Sequence, residues 1–195
     1  DPATGKSLWT WAGKSAVCAV GVRKDGKQAA AGTADGGLTL LAVSPDAAKA
    51  TGTASAHLAG TACVVYAPDG GRVATCGGDG LARLWAAPDA GPPSPLPLRF
   101  EPAAKPGASG NPLSAVALSA DGRYLAAAGA DSAVHVWDTQ TGAEVRGLRG
   151  HTDWVTGVAF RPDGSAIGSV GADKVARLFD LGRQEAEAAA AHAQA

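Results

Sequence analysis

Residues 150–180 read GHTDWVTGVAFRPDGSAIGSVGADKVARLFD, and three other stretches of the chain repeat their punctuation at fixed offsets. An Asp-Gly pair, Asp163-Gly164, follows the apolar run of Val155, Val158 and Phe160; the same pair recurs as Asp25-Gly26, Asp69-Gly70 and Asp121-Gly122. Asp-Gly favours a tight hairpin because both residues tolerate positive φ. Ten residues after each of these aspartates stands another, Asp35, Asp79, Asp131 and Asp173. Six further on comes a large apolar residue, Leu41, Trp85, Trp137 and Phe179. Each unit therefore reads as strand, hairpin, strand, turn, strand, and the units recur with periods of 44, 52 and 42 residues.

Multi-stranded repetition at this period is the sequence signature of a β-propeller array. The residues resemble one family, the WD40 or Trp-Asp repeats: Gly150-His151 opens a unit, Trp137-Asp138 closes one, and both aspartate spacings agree. Phe179-Asp180, Trp85-Ala86 and Leu41-Ala42 depart progressively from the Trp-Asp closure, so the first unit is a degenerate repeat. The implied fold is all-β, a propeller of four blades of four antiparallel strands over residues 1–182, with an Ala-rich tail at 183–195 that is frayed or helical.

The resemblance implies a buried polar network in each blade, with a His twelve residues before the hairpin Asp and a Ser or Thr four before the second Asp. In this chain the positions hold His57, Thr75, Asp79 and Trp85 in the second unit, and His151, Ser169, Asp173 and Phe179 in the fourth. The third unit offers Ser109, Ala127, Asp131 and Trp137, and the first Gly13, Ala31, Asp35 and Leu41. Since a complete network is what makes buried polar groups tolerable, the second and fourth blades are expected to be the rigid ones.

Outer strands are expected at 7–11, 51–56, 96–100 and 144–148, each ahead of its three-strand unit. The first can then close the last blade, leaving no long sheet edge. Four blades leave three architectures open: a small closed ring, a half that pairs with a second copy into an eight-bladed ring, or a piece of a longer propeller. The opening Asp1-Pro2 reads as cut from something longer. Residues 88–97 and 101–112 read as Pro- and Gly-rich loops.

Composition narrows the function. With 17 Lys and Arg against 18 Asp and Glu, the basic footprint of a nucleic-acid binder is missing. No apolar run approaches the ~20 residues that cross a bilayer. Cys18, Cys63 and Cys76 lack zinc-site spacing and read as buried thiols of a reducing compartment, so the expected location is cytoplasmic, without metal or cofactor. Gly5-Lys6-Ser7 and Gly13-Lys14-Ser15 lack the upstream Gly of a phosphate-binding loop.

Ser169, His151 and Asp173 imitate a hydrolytic triad, but the family's network accounts for the same set and its recurrence as Thr75, His57 and Asp79. The expectation is a non-catalytic protein-interaction scaffold. The resemblance points to one loop face as the partner surface, bearing Asp153, Trp154, Thr156 and Lys174, with Ser132, Lys14 and Lys105 nearby. Trp154 is its large aromatic, against Gly60, Pro112 and Ala16 in the other units. The alternatives are a regulatory or docking part of a larger enzyme, or a self-associating segment forming a homodimer.

Overall fold

The computed structural model describes residues 10–100 and 111–182. Among them the chain forms fifteen strands and no helix, arranged as four antiparallel sheets in sequence order. Blade 1 holds β1 (Val17–Val22), β2 (Gln28–Thr33), β3 (Gly37–Val43) and β4 (Ala48–Ser55). Blade 2 holds β5 (Thr61–Tyr66), β6 (Arg72–Gly77), β7 (Ala82–Ala86) and β8 (Ser94–Phe100). Blade 3 holds β9 (Leu113–Leu118), β10 (Tyr124–Gly129), β11 (Ala133–Asp138) and β12 (Glu144–Arg149), and blade 4 holds β13 (Val155–Phe160), β14 (Ala166–Gly171) and β15 (Ala176–Asp180).

The Asp-Gly pairs form the hairpins the sequence predicts. Gly26, Gly70, Gly122 and Gly164 lie at φ 71°, 71°, 70° and 74°, where glycine alone carries no Cβ penalty. Each preceding aspartate accepts the amide two residues on: Lys27 at 2.9 Å, Gly71 at 2.9 Å, Arg123 at 3.0 Å and Ser165 at 2.9 Å. The side chain thus closes its own turn and fixes the register of the strands on either side.

The blades stack face on face in chain order, β1 against β5, β5 against β9, β9 against β13. Leu38 and Leu40 of blade 1 bury with Val64, Val73 and Trp85 of blade 2. Leu84 and Phe100 of blade 2 bury with Val116, Leu125 and Trp137 of blade 3. Val134 and Val136 of blade 3 bury with Val155 and Ile167 of blade 4, where Val158 and Phe179 add half-buried cover. Each fully buried side chain of this size stabilises the stack by about 2 kcal/mol. Polar links cross the same junctions, including Tyr66 Oη to Gln28 Oε1 at 3.0 Å and Ser114 Oγ to the Val155 carbonyl at 2.5 Å.

Three of the expected outer strands form, as β4, β8 and β12, and each pairs with the unit before it. The sequence repeat and the blade are therefore offset by one strand. Blade 4 has three strands among the described residues; most of the expected closing strand at 7–11 lies outside them, and Thr10 and Trp11 are not in a strand. Lys105, Ser109 and the tail at 183–195 also lie outside them.

Two expectations are corrected. The loop read at 88–97 gives way at Ser94 to β8, which runs through Pro95 and Pro97. It is the outermost strand of its sheet and pairs only with β7, the setting in which a missing amide proton is tolerated. The cysteines are not uniformly buried: Cys76 is enclosed, Cys63 is half-buried and Cys18 is exposed. Cys18 lies at the register shift between Val17 and Ala19 in β1.

Candidate functional site

Two kinds of loop share one end of the stack: the connections between blades, such as residues 56–60 and 150–154, and the tight turns after β2, β6, β10 and β14. The polar networks fix the first kind to the second. In blade 2, Asp79 Oδ1 lies 2.8 Å from His57 Nδ1. A carboxylate only accepts, so the neutral ring carries its proton on Nδ1 and its Nε2 accepts from the Thr75 hydroxyl at 2.9 Å. Trp85 Nε1–H donates to Thr75 Oγ1 at 3.0 Å and completes the chain.

Arg83, four residues after Asp79, donates to Asp79 Oδ2 at 2.8 Å, and its Nη1 sits 2.7 Å from His57 Nδ1. Burial is the main force holding the His57 pKa below its ordinary value; Asp79 opposes this and the Arg83 charge adds to it. Burial acts to raise the Asp79 pKa, but His57 and Arg83 together bring it below the carboxylate norm. Gly77 makes the ring's place: a Cβ there would lie 2.5 Å from His57 Cγ.

Blade 4 repeats the set. His151 Nδ1 lies 2.9 Å from both oxygens of Asp173, and Nε2 lies 2.8 Å from Ser169 Oγ. Phe179 has no N–H to extend it. Gly171 again leaves the space, its Cβ position being 2.8 Å from His151 Nδ1. Blade 1 holds Thr33 at that glycine position, and Thr33 Oγ1 reaches Asp35 at 2.5 Å, so the hydroxyl serves the aspartate in place of an imidazole.

Blade 3 departs from the expected pattern in a way the spacing rule does not anticipate. Asp131 is engaged by His135 of β11, whose Nε2 lies 2.6 Å from Asp131 Oδ2. On its other side His135 Nδ1 lies 2.6 Å from Glu144 Oε1. The ring stacks on Trp137 at 5.7 Å between centroids. Burial works against a charge here, but the two carboxylates outweigh it and raise the His135 pKa. His135 occupies the strand position held by Arg83 in blade 2, so an imidazole from the strand engages the aspartate in place of one from the loop.

Of the expected partner residues, Asp153 and Trp154 lie in the loop before β13, Thr156 lies in β13 itself and Lys174 lies in the turn after β14. The Trp154 carbonyl accepts the Ala172 amide at 2.8 Å, which ties the loop before β13 to the turn after β14. Asp153 Oδ1 accepts the Trp154 amide at 2.7 Å, and Thr156 Oγ donates to the Val170 carbonyl at 3.3 Å. Trp154 is 48% exposed. Lys174 follows Asp173 at φ 66°, as Ser132 follows Asp131 at φ 63°, where blades 1 and 2 use Gly36 and Gly80.

At the opposite end, an open cleft of about 700 Å³ lies between blades 1 and 2, lined by Arg23, Asp25, Asp69 and Asp89. Sequence reading does not find it, because its two sides lie more than forty residues apart. Arg23 within it is already held by Asp25 at 2.9 Å and Asp89 at 2.6 Å.

Antiparallel sheets stacked in sequence, three of four strands and one of three among the described residues, each with a loop-end aspartate network, define a β-propeller type of protein. Its family follows from comparison: the family model described as WD domain, G-beta repeat, matches residues 48–86, 104–138 and 142–180, and the chain belongs to the WD40 family. The degenerate first unit falls outside those matches. Relatives include the nuclear distribution protein PAC1 of Arthroderma benhamiae, 43% identical over 70 residues, which are 36% of this chain and 15% of that protein. The uncharacterized WD repeat-containing protein sll1491 of Synechocystis is 48% identical over 71 residues, 36% of this chain and 20% of that protein. Mouse coronin-7 is 34% identical over 124 residues, 56% of this chain and 12% of that protein. The matches thus span no more than a fifth of these relatives' length. No helix among the described residues is long and apolar enough to cross a membrane.

Proposed function

We propose that the chain acts as a non-catalytic scaffold that binds other proteins or peptides at the blade 4 loops, with Trp154 as the anchor and Asp153, Thr156 and Lys174 around it. The observation that carries this reading is Trp154 itself, a large aromatic 48% exposed on a loop whose backbone is tied down. Aromatic residues dominate interface hot spots, and a preorganised one loses little entropy on binding. The near-neutral charge of −1 favours protein over nucleic acid as the partner. Three thiols without a disulfide fit a cytoplasmic setting.

The triad-like set supports the non-catalytic reading. His151 is buried, and both its nitrogens are occupied by Asp173 and Ser169. Blade 2 builds the same arrangement with Thr75, which points to a role in holding the loop. A serine-reactive fluorophosphonate is expected to leave Ser169 unlabelled. For the binding surface, peptides selected on the wild-type chain should bind Trp154→Ala at least about tenfold more weakly. Equal binding to both forms would remove Trp154 from the reading.

A further inference from the structure

Cys63 of β5 and Cys76 of β6 stand directly opposite each other in the antiparallel ladder of blade 2. Both turn to the face that packs on blade 3: Cys76 is 0% exposed in the cluster with Leu84, Phe100 and Val116, and Cys63 packs against that cluster half-buried. The two thiols hydrogen-bond to each other, and Cys63 Sγ also reaches the Val116 carbonyl at 3.9 Å. The repeat does not ask for cysteine here. The same ladder pair is Ala19 with Gly32 in blade 1, Ala115 with Ala128 in blade 3 and Gly157 with Val170 in blade 4. Packing is thus met elsewhere by small or aliphatic residues without redox chemistry, and blade 2 alone places two thiols where one reaches the other.

We propose that Cys63 and Cys76 form a reversible oxidation site, closed to a disulfide by hydroperoxides. Residues directly opposed on antiparallel strands have Cα atoms about 4.5–5.5 Å apart, within the roughly 4.4–6.8 Å that a disulfide spans. The register shifts between Thr61 and Cys63, so the ladder beside Cys63 is already irregular and gives the strand room to draw in. The roles divide by exposure. Cys63 is the member a small peroxide reaches, and the hydrogen bond from Cys76 lowers its pKa, which favours the nucleophilic thiolate. Its sulfur attacks one peroxide oxygen: the S–O bond forms, the O–O bond breaks, and the Cys63 proton leaves with the other oxygen as water or an alcohol. Cys76, whose pKa is raised by the same hydrogen bond and by burial, then attacks the Cys63 sulfenic acid. The S–S bond forms, the S–O bond breaks, and hydroxide leaves with the Cys76 proton as water. The two thiols are oxidised by two electrons and the peroxide is reduced by two. Cys76 stands between Thr75 and Gly77, which seat the His57 ring, so the bond braces the loop end of blade 2 and leaves the Trp154 reading independent.

The full chain, reduced and then treated in its folded state with a modest excess of hydrogen peroxide, is expected to lose two hydrogens in intact mass. Trypsin cuts at Arg72, between the two cysteines, so the digest should hold their two peptides joined, and dithiothreitol should separate them. This mapping depends on no substitution. Cys18→Ser, which removes the exposed thiol, should leave the cross-link unchanged. Cys76→Ser should stop the reaction at the Cys63 sulfenic acid, captured by dimedone at least about tenfold more than in the wild type. Cys63→Ser should leave Cys76 reduced. A folded wild-type chain in which Cys63 and Cys76 stay reduced while Cys18 is oxidised would overturn the proposal. So would Cys63 passing to sulfinic acid without a cross-link, bridges to Cys18 in place of the Cys63–Cys76 pair, or a Cys76→Ser chain that captures no more dimedone than the wild type.

Discussion

Blades 2 and 3 share an aspartate, a closing tryptophan and a hairpin, yet they meet the same electrostatic requirement in opposite ways. In blade 2 the loop histidine His57 is neutral, and the positive charge beside Asp79 comes from Arg83. In blade 3 the strand histidine His135 is buried between Asp131 and Glu144, and the two carboxylates outweigh burial and raise its pKa. A buried carboxylate needs donors, and whether a donor is also a cation is free to vary. The consequence differs: the blade 2 set pins an inter-blade loop to a turn, whereas the blade 3 set ties a turn to the outer strand β12. The repeat conserves the requirement and leaves its solution open.

The largest effect should come from removing the shared aspartate where its network is complete. Asp79→Ala leaves Arg83, His57 and the Leu58 amide without their acceptor and should cost about 3–5 kcal/mol in urea unfolding. Asp35→Ala in blade 1, where the aspartate itself is exposed and the Thr33 hydroxyl is its main partner, should cost far less. Equal losses at the two positions would break the link between network and stability.

Trp85→Phe comes next. It removes the donor to Thr75 while keeping most of the ring, and should cost about 1 kcal/mol. No loss would mean that the terminal link contributes nothing, as the natural Phe179 of blade 4 already tests from the other side. Smaller still is the turn exchange. Ser132→Gly should stabilise blade 3 by roughly 0.5–1 kcal/mol, because Ser132 sits at φ 63°, and Gly80→Ser should destabilise blade 2 by a similar amount. Matched thermal melts check both signs.

The fold was legible because its signals are local and repeated. The Asp-Gly turns, the ten-residue step to the second aspartate and the closing large apolar residue all lie in the structure at the repeat's positions, and His57, Thr75, Asp79 and Trp85, the set implied by the WD40 resemblance, are hydrogen-bonded in one chain. The blade 3 set was not legible, since a histidine alternating with Val134 and Val136 looks like a strand residue, and Glu144 reaches it only across a loop. The strand through Pro95 and Pro97 was hidden because proline composition does not say whether a strand lies at an edge.

The smallest effect on overall stability is that of pH, because the two blades should respond with opposite sign. His57 has its folded pKa below the ordinary 6.5, so its contribution is present above that pH and is lost as pH falls through the lowered value. His135 has its folded pKa above 6.5, so its contribution is full below 6.5 and is lost as pH rises through the raised value. Hydrogen exchange should therefore show β6 loosening on acidification and β10 loosening on alkalinisation, while the whole-protein melting temperature changes little near the crossover.

The imidazole nitrogens report the difference directly. A nitrogen-15 NMR titration of the two rings should find His57 neutral with its proton on Nδ1 from pH 7 down past 6.5, and His135 doubly protonated from acid pH up past 6.5. Both rings titrating together at 6.5, or a neutral His135 below that pH, would contradict the account of two blades solving one requirement with opposite charge.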